Sequence, residues 1–414
     1  MYVYKVGVVG AGAMGAQIAQ VATYAGLPVV IADVSEAIAQ RGIETVRRIY
    51  QARVERGKMT QDQLGEKMLL VTASGDVSAL RDVDLVIEAV SENLALKQHV
   101  FRELDAICPP GTIFASNTSA LSISAMGSAT HRPGKVIGLH FFNPAYAMPL
   151  VEIVPGLATD AETADDMVSF AESIRKLPIV VKECAGFLVN RLLMAYLNEA
   201  ILCLQEGAAT CKEIEQDMLT FGMPVGPFTL LDAVGLDISY DVARILHESY
   251  GPRMAPAALL GELVKAGRLG VKNGHGFYEY DGPETGMLQT LSDKVRRETG
   301  AVSAPWQPAR LLLAMVNEAA LALQEGIASA RDIDVAMVAG TGFPTGKEGP
   351  LHYADGLGVD AVLHELEEFS QTLSPRFWPA PLLRRMVAAG FTGKLTGRGF
   401  FSYEMVAQAA GGHS

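Results

Sequence analysis

The residues with the clearest capacity for chemistry are a histidine and a glutamate twelve positions apart. His140 ends the apolar segment 136–139, and Glu152 lies inside the apolar segment 150–154. A carboxylate among apolar neighbours needs a partner, and an imidazole on an adjacent strand would supply one. Such a pair can act as a general base, because the carboxylate fixes the tautomer and stabilises the imidazolium while the histidine takes a proton. The alternative is a structural histidine beside an incidental core glutamate.

A second group of residues could bind phosphates. Gly10, Gly12 and Gly15 follow the apolar strand pattern of residues 3–9 and open a helical pattern. Gly10 permits a tight turn, Gly12 lets the backbone approach a pyrophosphate, and Gly15 lets the helix pack close to the strand. The phosphates would lie at the N-terminus of that helix, against residues 10–15, which include Ala13 and Met14. The alternative is a tight turn without a ligand.

An acidic residue indicates which dinucleotide would bind. Asp33 ends the next strand, 23 residues after Gly10, where a carboxylate can accept hydrogen bonds from both adenosine ribose hydroxyls. The same charge would repel a 2′-phosphate, and the first basic residue after it is Arg41. We therefore predict NAD rather than NADP as the cofactor. A helix cap or a solvated strand end is the alternative for Asp33 alone.

These residues require an α/β domain to position them. From Tyr2 to about Ala185, short apolar runs alternate with longer amphipathic stretches, which is typical of a parallel, helix-covered sheet. Ligands bind at the carboxyl ends of such strands, where His140, residues 116–119 and Asn143 fall. The polar residues there could hydrogen-bond a substrate or a nicotinamide, or be ordinary turn residues. The predicted strands are 3–9, 29–32, 69–72, 85–89, 112–115, 136–140, 150–154 and 179–181.

After Gly186 a helical pattern takes over, and its motifs occur twice in the same order. Residues 198–200 and 205–207 recur 119 positions later, and residues 232–237 and 274–278 recur 123 positions later. The change of offset indicates a small insertion around residues 341–349. We therefore predict a Rossmann-like NAD-binding domain at 1–185, followed by two tandem copies of an all-α helical domain at 186–295 and 296–414.

Composition excludes several classes of function. The 34 basic and 46 acidic residues give a net charge of −12, which argues against general binding to nucleic acid or to a membrane surface. The apolar runs are shorter than the roughly 18 residues that a membrane helix needs. Four cysteines show no metal-binding spacing and are too few for a disulfide framework. With no secretory or transit signal recognised, we expect a cytoplasmic protein without a metal site.

Seven motifs, spread over essentially the whole chain, together resemble one family. They are Gly10-x-Gly-x-x-Gly15, Glu88-Ala-Val-x-Glu92, Ala115-Ser-Asn-Thr-Ser119, Gly138-Leu-His-Phe-Phe-Asn-Pro144, Met148-Pro-Leu-Val-Glu-Ile153, Gly186-Phe-x-Val-Asn-Arg191 and Lys272-Asn-Gly-x-Gly-Phe-Tyr278. The chain resembles the L-3-hydroxyacyl-CoA dehydrogenases.

The resemblance implies NAD-dependent oxidation of (3S)-3-hydroxyacyl-CoA to 3-ketoacyl-CoA, in fatty-acid or related acyl-CoA metabolism. It implies that His140 is the catalytic base, that Glu152 orients it, and that Ser119 and Asn190 hold the substrate oxygen. The residues that match the family's NAD site are Asp33, Glu92, Lys97, Ser119, Asn143 and Lys272.

The resemblance also places CoA-contacting basic residues in the helical segment 45–58. Arg53 and Lys58 are the candidates for acyl-CoA binding, although an amphipathic helix with a solvated basic face explains the same pattern. Because the basic helix has this second explanation, a dehydrogenase of a non-CoA hydroxy acid or sugar acid stays as an alternative function. A non-catalytic NAD-binding protein on the same scaffold is a third hypothesis, and the intact set of Ser119, His140, Glu152 and Asn190 argues against it.

The second helical copy lacks one active-site residue. At the offset of 119, Asn190-Arg191 match Ala309-Arg310, so the second copy keeps the arginine and loses the amide. Single-copy members of the family dimerise through this domain, and fatty-acid-oxidation multienzymes carry two copies. The chain resembles the dehydrogenase part of those multienzymes without their hydratase domain. Our hypothesis is that the second copy is structural and substitutes for a dimer partner, which leaves a monomer or a homodimer.

Overall fold

The computed structural model describes residues 2–283, 285–301 and 305–404, and the chain divides into two compact units, Met1–Phe187 and Leu188–Ser414. Both predicted helical copies fall within the second unit, except for residues 186 and 187 at the start of the first copy. The end of the predicted third domain, residues 405–414, lies outside the described residues.

The first unit is an α/β domain built on one eight-stranded sheet. Its strands and helices are, in chain order, β1 Val6–Val9, α1 Ala13–Ala25, β2 Val29–Ala32, α2 Glu36–Glu55, α3 Gln61–Met68, β3 Val71–Ser74, β4 Leu85–Glu88, α4 Leu94–Ile107, β5 Ile113–Ser116, α5 Ile123–Gly127, β6 Val136–Phe141, β7 Leu150–Pro155, α6 Ala161–Ser173 and β8 Leu177–Val180.

The strand order is β3-β2-β1-β4-β5-β6-β7-β8. Strands β1 to β6 are parallel, and every residue of β1, β2, β4, β5 and β6 is buried, as expected for strands with helices on both faces. The sheet departs from the prediction of parallel strands at β7, which is antiparallel to β6. Residues 142–149 connect these two strands, and so short a connection cannot make the crossover that a parallel pair requires.

The described part of the second unit is built mainly from helices, with isolated β-bridges within residues 270–279 and 393–402. Its α-helices are α7 Val189–Glu206, α8 Cys211–Phe221, α9 Pro227–Val234, α10 Leu236–Tyr250, α11 Ala258–Lys265, α12 Met287–Thr299, α13 Ala309–Gln324, α14 Ala330–Thr341, α15 Pro350–Leu357, α16 Val359–Thr372 and α17 Pro381–Ala388.

The order of helices repeats, as the duplicated motifs suggest. Helices α7 to α11 have their counterparts in α13 to α17. The segment between α14 and α15, residues 342–349, is longer than the segment 222–226 between α8 and α9, and it contains an additional short helical turn, Thr345–Lys347. The insertion predicted around residues 341–349 therefore falls in this loop.

Helices α7 and α13 pack against each other and exchange reciprocal ion pairs. Arg191 of α7 donates to Glu318 at 2.6 Å and to Glu325 at 2.7 Å. Arg310 of α13, the residue that matches Arg191, donates to Glu199 at 2.6 Å and to Glu206 at 2.7 Å. Both guanidinium groups are fully buried, so the two helical copies share a charged interface in the interior of the unit.

No α-helix among the described residues combines the length and the apolar character that crossing a bilayer would require.

Candidate active site

The predicted imidazole and carboxylate lie opposite each other on β6 and β7. His140 and Glu152 are directly paired in the antiparallel register, so their side chains leave the same face of the sheet. His140 Nδ1 lies 2.7 Å from Glu152 Oε2. Glu152 is fully buried and His140 is 4% exposed, so the imidazole supplies a hydrogen-bond partner to a carboxylate that is shielded from water.

The other ring nitrogen of His140 points toward Ser119. Because an ionised carboxylate only accepts hydrogen bonds, Nδ1 carries the hydrogen and Nε2 of the neutral ring keeps its lone pair. Ser119 Oγ lies 3.2 Å from Nε2. The rings of Phe142 and Phe187 flank the imidazole, with centroids at 4.6 and 5.8 Å. This arrangement presents a proton acceptor beside a hydroxyl in apolar surroundings.

The loop that carries Ser119 is held by a carboxylate. Glu92 Oε1 accepts hydrogen bonds from Thr118 Oγ1 at 2.5 Å and from the Ser119 amide at 3.1 Å. Asn117 Oδ1 accepts from the Phe141 amide at 2.9 Å, which ties the same loop to β6 next to His140. The loop that carries the Ser119 hydroxyl is therefore held both by Glu92 and by β6.

The glycine loop has the geometry that a bound pyrophosphate requires. Gly10 has a φ of 103°, and a Cβ there would lie 2.6 Å from the Ala89 carbonyl oxygen. A Cβ on Gly15 would lie 1.8 Å from the Gly10 carbonyl oxygen, so the helix could not pack as closely with a side chain there. A Cβ on Gly12 would meet no described atom within 4 Å. The space over Gly12 and the N-terminus of α1 therefore suit a phosphate group.

Asp33 lies at the end of β2, beside the glycine loop. Its Oδ2 accepts from the Ala11 amide and its Oδ1 from the Val34 amide, both at 2.7 Å. A carboxylate has about four acceptor sites, so these two bonds leave capacity for ribose hydroxyls.

Comparison with known proteins identifies the family. The model of the 3-hydroxyacyl-CoA dehydrogenase NAD-binding domain matches residues 5–184, and the model of the C-terminal domain of the same family matches residues 186–280 and 308–403. The chain belongs to the 3-hydroxyacyl-CoA dehydrogenase family. The expected NAD cofactor and the order of an α/β domain before helical domains are confirmed by these matches.

Relatives and solved structures agree with the family. The chain is 40% identical over 397 residues to the fatty acid oxidation complex subunit alpha of Shewanella amazonensis, covering 94% of this chain and 56% of that protein. It therefore spans a little over half the length of this curated relative. The 3-hydroxybutyryl-CoA dehydrogenase of Escherichia coli is 30% identical, with a TM-score of 0.85 over 94% of this chain and 100% of its own.

A third similar protein spans less of the chain. The (S)-3-hydroxybutyryl-CoA dehydrogenase of Ralstonia eutropha is 38% identical, with a TM-score of 0.66, over 68% of this chain and 100% of its own.

Two of the predicted NAD contacts have hydrogen-bond partners within the protein. Lys97 is buried on α4, and its ammonium donates to both oxygens of Glu88, at 2.8 and 3.0 Å. Asn143 Oδ1 accepts from Gln17 Nε2 at 3.2 Å, and Gln17 Oε1 accepts from the Ala145 amide at 2.6 Å. The motifs did not indicate that Glu88 and Gln17 contact these residues. Glu88 could have been found, because it is a charged residue at the end of the apolar strand β4.

The remaining predicted residues lie elsewhere. Asn190 is the second residue of α7, and Lys272 lies in the short helical turn Val271–Asn273, where its ammonium is bonded to Asp237; both belong to the second unit. In the first unit, Arg53 near the end of α2 lies over the Tyr24 ring at 4.6 Å, and Lys58 is exposed in the turn that follows.

Proposed function

We propose that this chain oxidises (3S)-3-hydroxyacyl-CoA to 3-ketoacyl-CoA with NAD as the acceptor, in fatty-acid oxidation or related acyl-CoA metabolism. The observation that carries the proposal is His140, held between Glu152 and Ser119 at the carboxyl end of a strand in a domain that matches the family's NAD-binding model. This is the arrangement that removal of a hydroxyl proton requires.

The chain's own residues manage the proton. The proton of the 3-hydroxyl group passes to His140 Nε2, and the C3–H bond breaks with its electron pair as the C3–O double bond forms. NAD, when bound, supplies the acceptor for that hydride. Glu152 stabilises the resulting imidazolium through Nδ1–H, and Ser119 and Asn190 hold the substrate oxygen.

The cofactor residues act by position and charge. The backbone of Gly10, Gly12, Ala13, Met14 and Gly15 would cradle the pyrophosphate at the N-terminus of α1, and Asp33 would accept from the ribose hydroxyls. Glu92, Lys97, Ser119, Asn143 and Lys272 complete the proposed nicotinamide side of the site.

A cluster of cations around Tyr24 supports binding of the CoA phosphates by Arg53. The Lys67 ammonium and the Arg175 guanidinium also lie near this ring, at 6.0 and 5.9 Å from its centroid. Three like charges around one ring are stabilised by an anion. Lys58, exposed a few residues beyond Arg53, is the other proposed contact.

The phosphate contact can be measured with a matched substrate pair. We expect removal of the 3′-phosphate from 3-hydroxybutyryl-CoA to raise KM about tenfold in the wild-type protein, the value of one hydrogen bond to a charged group. Arg53→Ala should have this raised KM with both substrates, so the difference between the two substrates should disappear. Arg48→Ala, on the same helix, is the control that keeps the difference. Equal KM values for the two substrates in the wild-type protein would reject Arg53 as a phosphate contact.

The reaction itself is tested by NADH formation with 3-hydroxybutyryl-CoA, with free 3-hydroxybutyrate and without substrate. The proposal expects a signal with the thioester only. A faster reaction with the free acid would point to a dehydrogenase of non-CoA hydroxy acids, and no reaction with either would point to a non-catalytic NAD-binding protein.

We propose that the second helical copy replaces a dimer partner, so that the chain is a monomer. Support comes from the reciprocal pairs of Arg191 and Arg310, which bury inside one chain the charged interface that two chains would otherwise share. Light scattering on the full chain should give the monomer mass of 44.1 kDa. A mass twice as large at all concentrations would contradict this.

We also propose that the protein works in the reducing cytoplasm. The buried free thiols of Cys108, Cys203 and Cys211 fit this location.

A further inference from the structure

A buried acid outside the predicted site lies at the far end of a continuous series of polar contacts that leads to His140. Glu88, the last residue of β4, is fully buried. It binds the Lys97 ammonium through both oxygens, and it also accepts from Ser116 Oγ and from the Val90 amide, each at 2.6 Å. Four such hydrogen bonds from three partners fix the orientation of this carboxyl group in the interior.

Lys97 connects this acid to the loop of the site. Its ammonium lies 3.3 Å from Glu92 Oε2, so it stands between two carboxylates. Lys97 and Glu88 are buried, whereas the Glu92 side chain is 43% exposed. The other oxygen of Glu92 accepts from Thr118 Oγ1 and from the Ser119 amide.

The last contacts reach the reacting centre. Ser119 Oγ lies 3.2 Å from His140 Nε2, and His140 Nδ1 lies 2.7 Å from Glu152 Oε2. The series Glu88, Lys97, Glu92, Ser119, His140 and Glu152 therefore joins strands β4, β6 and β7 through polar contacts. Displacement of the Glu92 carboxylate would move the Ser119 hydroxyl, and a misplacement of about 1 Å in such a site is costly to the rate.

We propose that Glu88 is a positioning residue for the dehydrogenase reaction: by holding the Lys97 ammonium it fixes Glu92, and through Glu92 the Ser119 hydroxyl beside His140. The inference rests on the proposed function. It gives Lys97 a role that depends on its contacts with Glu88 and Glu92, separate from any contact with the cofactor. Glu88 touches neither substrate nor cofactor in this role.

A pair of variants separates positioning from simple support of the fold. Glu88→Gln removes the buried counter-ion of the Lys97 ammonium and leaves it only the half-exposed Glu92 among the described carboxylates, which should lower Tm and lower kcat at least tenfold. Glu88→Gln combined with Lys97→Met removes both charges. Replacement of a buried ion pair by neutral residues is often tolerated, so Tm should recover in the double variant. The kcat, measured at saturating NAD so that weaker cofactor binding does not lower it, should stay low, because Glu92 has lost its ammonium partner.

Asp355→Asn is the matched control for loss of a buried carboxylate. Asp355 lies in the second unit and accepts from the amides of Phe400 and Phe401. This substitution should lower Tm and leave kcat unchanged below the transition. Recovery of kcat together with Tm in the double Glu88/Lys97 variant would overturn the proposal, because both effects would then come from stability alone.

A spectroscopic measurement separates failure of this proposal from failure of the proposed reaction. With ¹⁵N-labelled histidine, the Nε2 resonance of His140 should move in the double variant, because its hydrogen-bond partner Ser119 has moved, and should stay in place in Asp355→Asn. An unmoved resonance in the double variant overturns the positioning role, whatever the wild-type chain turns over. A moved resonance supports that role even if 3-hydroxybutyryl-CoA is not a substrate.

Discussion

The two helical copies differ in a way that separates residues that hold the fold from residues proposed to serve chemistry. Arg191, Glu199 and Glu206 of the first copy match Arg310, Glu318 and Glu325 of the second, and each set binds the other. Asp232 and Asp355 are also matched, and each buried carboxylate accepts two backbone amides and a tyrosine hydroxyl. These retained residues all make contacts inside the unit.

The residues proposed to serve the reaction are not retained in the second copy. Ala309 stands where the first copy has Asn190, and Leu395 stands where it has Lys272. Lys272 is bonded to Asp237, whereas Leu395 is 96% exposed although the matching Asp360 is still present. The comparison teaches that the second copy kept the residues of the mutual interface and lost the side chains proposed to contact ligands. This difference supports the proposed structural role of the second copy.

The largest expected effect comes from breaking the shared interface. Arg310→Met and Arg191→Met should each lower the free energy of unfolding by about 3–5 kcal/mol, because each removes a fully buried guanidinium from two carboxylates. Of the cations in the described part of the chain, Glu199 and Glu206 would then keep only Arg376, and Glu318 would keep only Arg253. Urea unfolding measures this. Similar losses in the two variants would support the internal symmetry. A loss below 1 kcal/mol in either would show that the matched pairs do not contribute alike.

A smaller effect should distinguish the copies by activity. Asn190→Ala, which gives the first copy the residue of the second, should lower kcat about 10²- to 10³-fold, because the substrate oxygen loses one donor in the transition state. Ala309→Asn, the reverse change in the second copy, should leave kcat as it is. Steady-state NADH formation checks both variants. A gain of activity in Ala309→Asn would mean that the second copy takes part in catalysis.

The smallest effect concerns acid stability at another matched position. Hydrogen bonding from His275, followed by bonds from Thr285 and Arg268, lowers the pKa of Glu279 to about 2, against burial that raises it. The matching residue in the second copy is Ser402. Because the pKa of Glu279 is lower in the folded protein than its unfolded value of 4.5, the ionised carboxylate stabilises the fold above pH 4.5. This contribution is lost as the pH falls toward 2. The Tm difference between wild type and Glu279→Gln should therefore be largest above pH 5 and shrink on acidification. A constant difference would contradict this.

Much of the fold and of the site could be predicted from sequence because the signals are local. Apolar runs marked each strand of the first unit to within a few residues, and the glycine spacing marked the loop before α1. The helical copies were visible because their motifs recur in order. His140 and Glu152 could be paired because each ends or interrupts an apolar strand.

The rest depends on contacts between distant residues. Helix α6 ends at Ser173, and Arg175 follows it with a positive φ of 63° where no glycine signals a stop, so the predicted strand at 179–181 begins earlier, at Leu177. Periodicity also carries no strand direction, which is why antiparallel β7 was missed. Glu88 and Lys97 are separated by a strand end and a helix start, so their pairing required the folded chain.

The central claim, that His140 removes the substrate's hydroxyl proton, is tested most directly by turnover of His140→Gln. NADH formation from 3-hydroxybutyryl-CoA should fall about 10²-fold or more, since general-base assistance contributes about 10² to 10⁴. The dissociation constant for NAD, measured on the same preparation, should not change. An unchanged rate in this variant would contradict the account.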